Sequence, residues 1–74
     1  MSKIGIIDIG SNTFNLLISC MTTKKSIFRC EDFVGIRKGT IDGFIQEKTI
    51  SDSIKTINKY KNKCKKHDCK KIYL

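Results

Sequence analysis

The sequence lacks tryptophan and proline, and its 74 residues include only four Phe and two Tyr. Because aromatic side chains are among those that bury the most surface, the apolar core of this chain must be small. A chain of this length also buries only ~60% of the surface that its unfolded form exposes. We therefore expect it to depend on more chain or on a partner, and homodimerisation or other self-association is one such source.

Long apolar runs are also missing. The run that follows Lys3 is interrupted by Asp8, and no stretch is long enough to span a bilayer or to act as a secretory signal. These absences argue against a membrane partner and predict a cytoplasmic protein, in which the four cysteines stay reduced and act as small apolar residues. Cys64, His67 and Cys69 lie close together, but their spacing is not that of a zinc knuckle.

Acidic residues are few relative to lysine, and the formal net charge is +8. Residues 38–74 carry ten Lys or Arg against four acids, and residues 59–71 hold seven of those lysines. Such a field attracts polyanions, although a lysine coat that simply faces solvent is the plainer interpretation. The run contains no arginine and no aromatic stacking platform, so nucleic-acid binding is not expected beyond a nonspecific charge effect. A small basic module for nucleic acid or another polyanion stays as an alternative.

The hydrophobic pattern predicts strands, one helix and no second domain. Ser51 is expected to cap the helix, which should end between residues 66 and 68. Tight turns predict an antiparallel meander of the first three strands, and a right-handed crossover places the last strand parallel to the first. The predicted fold is α/β with a mixed four-stranded sheet, element order β-β-β-α-β, strand order 3-2-1-4 and one packed helix. The predicted strands cover residues 3–9, 14–21, 27–36 and 69–74, with a loop at 35–43.

The strongest chemical signal is an aspartate, Asp8, placed inside the first strand, two residues before a Gly-Ser-Asn turn. In an apolar environment a charged carboxylate needs a partner, and a divalent cation would supply one. Gly10 allows close backbone approach to a ligand, and consecutive turn amides can point at an anion. The alternative is that Asp8 and Asn12 only organise a tight hairpin.

The run Ile6-Ile7-Asp8-Ile9-Gly10-Ser11-Asn12-Thr13, continuing to Ile18, resembles the first phosphate motif of the exopolyphosphatase and guanosine-pentaphosphate phosphatase (Ppx/GppA) family. The resemblance extends more loosely over the rest of the chain. It implies the actin-like ATPase superfold, here as a ribonuclease H-like half-domain. Residues 1–74 are then expected to be the N-terminal portion of the first actin-like lobe, incomplete.

The resemblance further implies a Mg²⁺-dependent hydrolase that releases terminal phosphate from inorganic polyphosphate or guanosine pentaphosphate. Asp8 takes the metal-side role, through water, and the phosphate-binding residues are Gly10, Ser11, Asn12 and Thr13.

The family's catalytic glutamate belongs to a segment beyond Leu74, and neither Glu31 nor Glu47 matches its position. No catalytic residue is therefore assigned, whether the chain is an enzyme by itself is left open, and inactivity alone is expected. A fragment of another actin-like phosphotransferase, such as a sugar or acyl kinase, is the remaining alternative.

Overall fold

The structure is a computed structural model that describes residues 2–74. It is built from strands at both ends of the sequence and a single long helix near the carboxyl end of the described chain. The elements in chain order are β1 (Lys3–Ile9), β2 (Thr13–Cys20), β3 (Ser26–Phe33), β4 (Thr40–Ile41), β5 (Phe44–Ile45), α1 (Glu47–Lys66) and β6 (Lys71–Tyr73).

Four of the strands form one mixed sheet in the order β3-β2-β1-β6. The β1–β2 and β2–β3 pairs are antiparallel, and β6 joins β1 as a parallel strand. The helix supplies the crossover that a parallel pair requires. The predicted strand order is confirmed, with β6 as the predicted fourth strand.

The core lies between one face of this sheet and α1. Alternate residues of β2 are buried, as a strand with one covered face requires. Three of them, Phe14, Leu16 and Ile18, form one cluster with Ile7 from β1 and the helix residues Tyr60 and Cys64. The buried residues of β2 are Phe14, Leu16, Ile18 and Cys20. Cys64 thus serves as a small core residue, the role that the sequence predicts for the cysteines, and Cys20 is also buried.

The helix begins earlier than predicted. It starts at Glu47 instead of after Ser51, and Gln46 occupies the N-cap position without a side-chain hydrogen bond. Tertiary contacts explain the difference, because Gln46 N–H donates to the Gly39 carbonyl at 3.0 Å and Thr49 is buried against Gly39. The position of α1 is therefore set by the preceding loop and not by a local cap.

The predicted loop at residues 35–43 is partly wrong, because a small hairpin of β4 and β5 occupies residues 40–45. Its two-residue turn is Asp42-Gly43, with φ values of 51° and 80°. An Asp-Gly pair between short apolar segments is a strong signal for such a turn, since both central residues need positive φ. The sequence contained that signal.

The second face of the main sheet is not covered by any element among residues 2–74. Ile6 remains 37% exposed there and Tyr73 is 50% exposed. The outer edge of the short strand β6 is also unpaired within the described chain. No helix of residues 2–74 combines the length and the apolar character needed to cross a membrane.

Substitution Gly5→Ala should destabilise the fold, because a methyl group at this position would overlap Cys64 Sγ in the core. Overpacking of this kind costs about 1–3 kcal/mol in the free energy of unfolding, which urea denaturation measures. In a Cys64→Ala background the same glycine substitution should cost less. An equal cost in both backgrounds would show that the sulfur is not the obstacle.

Candidate phosphate-binding turn

The turn between β1 and β2 is tight. Gly10 N–H donates to the Thr13 carbonyl at 3.0 Å, directly after the last β1–β2 pair, Ile9 with Phe14. A Cβ atom on Gly10 would lie 2.8 Å from that carbonyl oxygen. Glycine is therefore required here by close approach of the chain to itself.

The loop that follows β3 holds this turn from one side. Val34 N–H and Gly35 N–H donate to the Asn12 carbonyl at 2.7 and 2.8 Å, and Arg37 N–H donates to the Ser11 carbonyl at 2.9 Å. The Asn12 side chain adds a longer contact, with its Oδ1 accepting from Lys38 N–H at 3.3 Å. The turn is thus fixed by contacts more than twenty residues away along the chain.

These contacts determine where the turn amides point. A peptide unit is planar and trans, so its N–H points opposite to its carbonyl. Because the carbonyls of Ser11 and Asn12 face the loop, the N–H groups of Asn12 and Thr13 face away from it. Two consecutive amides on one side of a turn can form a concave site for an anion. The Ser11 hydroxyl is on an exposed residue of the same turn.

Asp8 lies on the open face of the sheet and is exposed. The expectation that Asp8 sits in an apolar environment is therefore wrong for the described residues. The reason is the pleat: Ile7 takes the covered face, so Asp8 must take the other. Its carboxylate needs no buried partner, and burial gives no support for a bound cation.

Polar side chains from β2 and β3 share this open face with Asp8. Asn15 is directly opposite Asp8 in the β1–β2 register, and Glu31 is directly opposite Asn15 on β3. Together with Arg29 they line an open cavity of about 310 Å³, whose floor includes Leu17. The sequence alone did not identify Asn15 and Arg29 as candidate site residues. Once the register is known, the period of two in β2 and β3 places both side chains on the face of Asp8.

Tyr60 of α1 makes a hydrogen bond to β2, the strand that follows the turn. Tyr60 is fully buried, and its hydroxyl lies 3.0 Å from the Phe14 carbonyl and 2.7 Å from Asp32 Oδ2, both acceptors for its single proton. Lys59 Nζ donates to Asp32 Oδ1 at 2.8 Å. Phe14 and Asp32 are paired across β2 and β3, so one network joins the helix and two strands.

The charges in this network stabilise one another. Hydrogen bonds from Lys59 and then from Tyr60 hold the pKa of Asp32 below its ordinary value. Burial, and then the hydrogen bond to Asp32, raises the pKa of Tyr60 above its ordinary value. Tyr60 therefore stays a neutral donor, and Asp32 an ionised acceptor, across the physiological range.

The cysteine and histidine residues near the end of α1 do not form a metal centre. No group of three or more His, Cys, Asp or Glu side chains suited to a metal is present among residues 2–74. The His67 ring instead lies beside Phe28, with 5.8 Å between the ring centroids, and Cys64 is buried in the core.

Solved structures share this architecture. An exopolyphosphatase from Cytophaga hutchinsonii matches with a TM-score of 0.86 and 31% identity over 96% of this chain and 24% of that protein. The type II variant of the Aquifex aeolicus Ppx/GppA phosphatase matches with a TM-score of 0.88 and 21% identity over 97% of this chain and 25% of that protein. The resemblance to the Ppx/GppA family is confirmed. The prediction of an actin-like fold is confirmed with it.

A second Aquifex aeolicus structure of this family matches with a TM-score of 0.85 and 23% identity over 96% of this chain. The chain spans about a quarter of the length of these solved structures. No family model and no curated protein matches the sequence.

The Tyr60 network makes stability depend on pH in the acidic range. Since the folded pKa of Asp32 is lowered, its stabilising contribution is complete above the ordinary value of about 3.9 and is lost as pH falls through the lower folded pKa. Tyr60→Phe should raise the Asp32 pKa and reduce the free energy of unfolding at pH 7 by about 1–2 kcal/mol. Carboxyl NMR titration and urea denaturation measure the two effects.

The exposed pair of Lys48 and Asp52, with 3.1 Å between Nζ and Oδ2, provides the control. Lys48→Gln should leave both quantities almost unchanged. An Asp32 pKa that does not move in Tyr60→Phe would contradict the role given to the tyrosine hydroxyl.

Proposed function

We propose that this chain is the part of a Ppx/GppA-type phosphohydrolase that holds phosphate and Mg²⁺, in an enzyme that releases terminal phosphate from inorganic polyphosphate or guanosine pentaphosphate. Residues 1–74 would be the N-terminal portion of its first actin-like lobe. The resemblance of the chain to an exopolyphosphatase and to Ppx/GppA phosphatases supports this assignment over the kinase alternative.

The orientation of the turn is the observation that carries the proposal. The loop at residues 34–38 occupies the carbonyls of Ser11 and Asn12 and leaves the N–H groups of Asn12 and Thr13 facing outward. Gly10 keeps the turn narrow, and the Ser11 and Thr13 hydroxyls add donors beside these amides. A terminal phosphate, which carries several acceptor oxygens, matches this set of donors.

The side chains near the turn also suit Mg²⁺, which prefers oxygen ligands and keeps several of its waters. Asp8 is an exposed carboxylate, and the side-chain oxygen of Asn15 is across the strand pair from it. Asp8 would hold the cation through water, and Asn15 would orient those waters. When bound, the cation would neutralise charge on the phosphate oxygens.

Hydrolysis also needs a group that activates water, and we assign none to this chain. Glu31 is on the open face but is two strands away from Asp8, and Glu47 lies at the start of the helix that covers the other face. We therefore propose that the chain alone binds the terminal phosphate of a substrate but does not cleave it from the substrate. A cytoplasmic location and self-association through the open face or the β6 edge remain proposals.

Binding at the turn can be tested on the 74-residue chain with tripolyphosphate as the probe. Amide NMR shifts should be largest at Asn12 and Thr13, and Mg²⁺ should tighten binding. In Asp8→Asn we expect the gain in tripolyphosphate affinity that Mg²⁺ produces to fall by about tenfold, because one charged ligand contributes roughly 1.5 kcal/mol to the binding free energy.

Asp42→Asn is the matched control, because it removes the same charge from an exposed hairpin turn. It should leave the Mg²⁺ effect intact. If both variants lose it equally, or if the shifts avoid residues 10–13, Asp8 and the turn do not form the site.

A further inference from the structure

The outer side of α1 carries a basic groove of about 540 Å³. Its residues follow one another at helical steps of three and four, so they form two adjacent rows on one helix face. No acidic residue lines it within the described chain. The lining residues are Lys55, Asn58, Lys59, Asn62, Lys63 and Lys66.

The charge of this surface is concentrated and partly ordered. The helix carries seven lysines against two acids, a net charge of +5. Lys59 Nζ is held by Asp32 at 2.8 Å, and Lys63 Nζ lies 4.9 Å from the centroid of the Phe28 ring. Because these two ammonium groups are already placed, binding an anion there orders fewer side chains than on a flexible lysine surface. Asp32 offsets part of the charge of Lys59.

The groove can recognise the negative charge of phosphate groups, but it has no group that would recognise a nucleic-acid base. It offers no guanidinium fork, and the nearby rings are not available for stacking, since Tyr60 is buried and Phe28 is covered by Lys63. Single-stranded nucleic acid depends on stacking for much of its affinity. Lysine instead acts as a point charge that binds phosphate without demanding an orientation.

The dimensions of the groove suit an extended chain. Lys55, Lys59 and Lys63 recur every four residues, a rise of about 6 Å each, and the groove runs about 16 Å along the helix to Lys66. A ligand bound there would contact several ammonium groups in succession. A single phosphate would gain only one or two of them.

We propose that this groove binds linear inorganic polyphosphate as a second contact surface, separate from the turn. The choice of inorganic polyphosphate rests on the proposed function. The groove and the turn are separate surfaces because α1 covers the face of the sheet that carries Ile7, whereas Asp8 is on the open face. A long chain held in the groove would raise the local concentration of its ends near the turn, an advantage that a short chain does not have.

The test compares the chain with a triple variant, Lys55→Gln, Lys63→Gln and Lys66→Gln, which leaves the Lys59–Asp32 pair in place. The variant should bind long-chain polyphosphate at least tenfold more weakly at low salt, and the slope of log affinity against log salt should fall by about 2. Its affinity for tripolyphosphate in the presence of Mg²⁺ should change little, because that ligand is assigned to the turn.

A control variant removes the same charge elsewhere, with Lys24→Gln, Lys25→Gln and Lys70→Gln at exposed positions. Equal weakening in both triple variants would reduce the effect to net charge and overturn the proposal. The proposal would also be overturned if duplex RNA displaced long-chain polyphosphate at matched phosphate concentration. Asp8→Asn separates the two proposals: it should weaken the Mg²⁺ effect on tripolyphosphate by about tenfold and preserve the lysine-dependent binding of long chains. Thermal unfolding by circular dichroism verifies that each variant is folded.

Discussion

Tyr60 joins the helix to the sheet at the level where the candidate phosphate-binding turn ends. Its ring fills the space between α1 and β2, and its hydroxyl meets the carbonyl of Phe14, the second residue after the turn. A buried tyrosine hydroxyl must find a partner, and here the partner is backbone on one side and the Asp32 carboxylate on the other. Because Lys59 binds the same carboxylate, the helix contacts β2 and β3 together. The strand that continues from the turn is thereby held in place.

The loop at residues 34–38 continues this arrangement from β3 to the turn. β3 is positioned by Asp32, and the chain that leaves it donates to the carbonyls of Asn12 and Ser11. The orientation of the turn amides thus depends on the packing of the helix, although no helix residue touches the turn amides in the contacts described above. The result is a sheet with two different faces: one face carries the small core, and the other carries Asp8 and its polar neighbours.

The sequence predicted β1, the turn and β2 well because these elements are specified locally. Alternation in β2 identifies its buried face, and the Gly-Ser-Asn sequence marks the turn between the strands. The start of α1 was predicted wrongly because the contact of Thr49 with Gly39 outweighs the capping preference of Ser51. Contacts of this kind join distant parts of the chain.

The exposure of Asp8 and the position of Asn15 beside it were missed for a related reason. Both depend on which face of the sheet the helix covers, and the apolar residues on both sides of β1 leave that choice open. The loop contacts to Ser11 and Asn12 could not be predicted from local sequence patterns either. They involve backbone carbonyl groups, which every residue type has. Strand order was predictable because short connections and the handedness of the crossover allow few alternatives.

Holding a phosphate and cleaving it differ in how much of a chain they require. Consecutive amides, two hydroxyls and one carboxylate can come from a single hairpin, and residues 8–13 supply all of them at the end of β1 and in the turn that follows. Activation of water instead needs a carboxylate brought to the phosphate from a different direction than the metal. Glu31 cannot do this, because it projects from the same face of the same rigid sheet as Asp8. If residues 8–13 hold phosphate and Mg²⁺ as proposed, a base would therefore come from an element packed over the open face, at the exposed surface around Asp8.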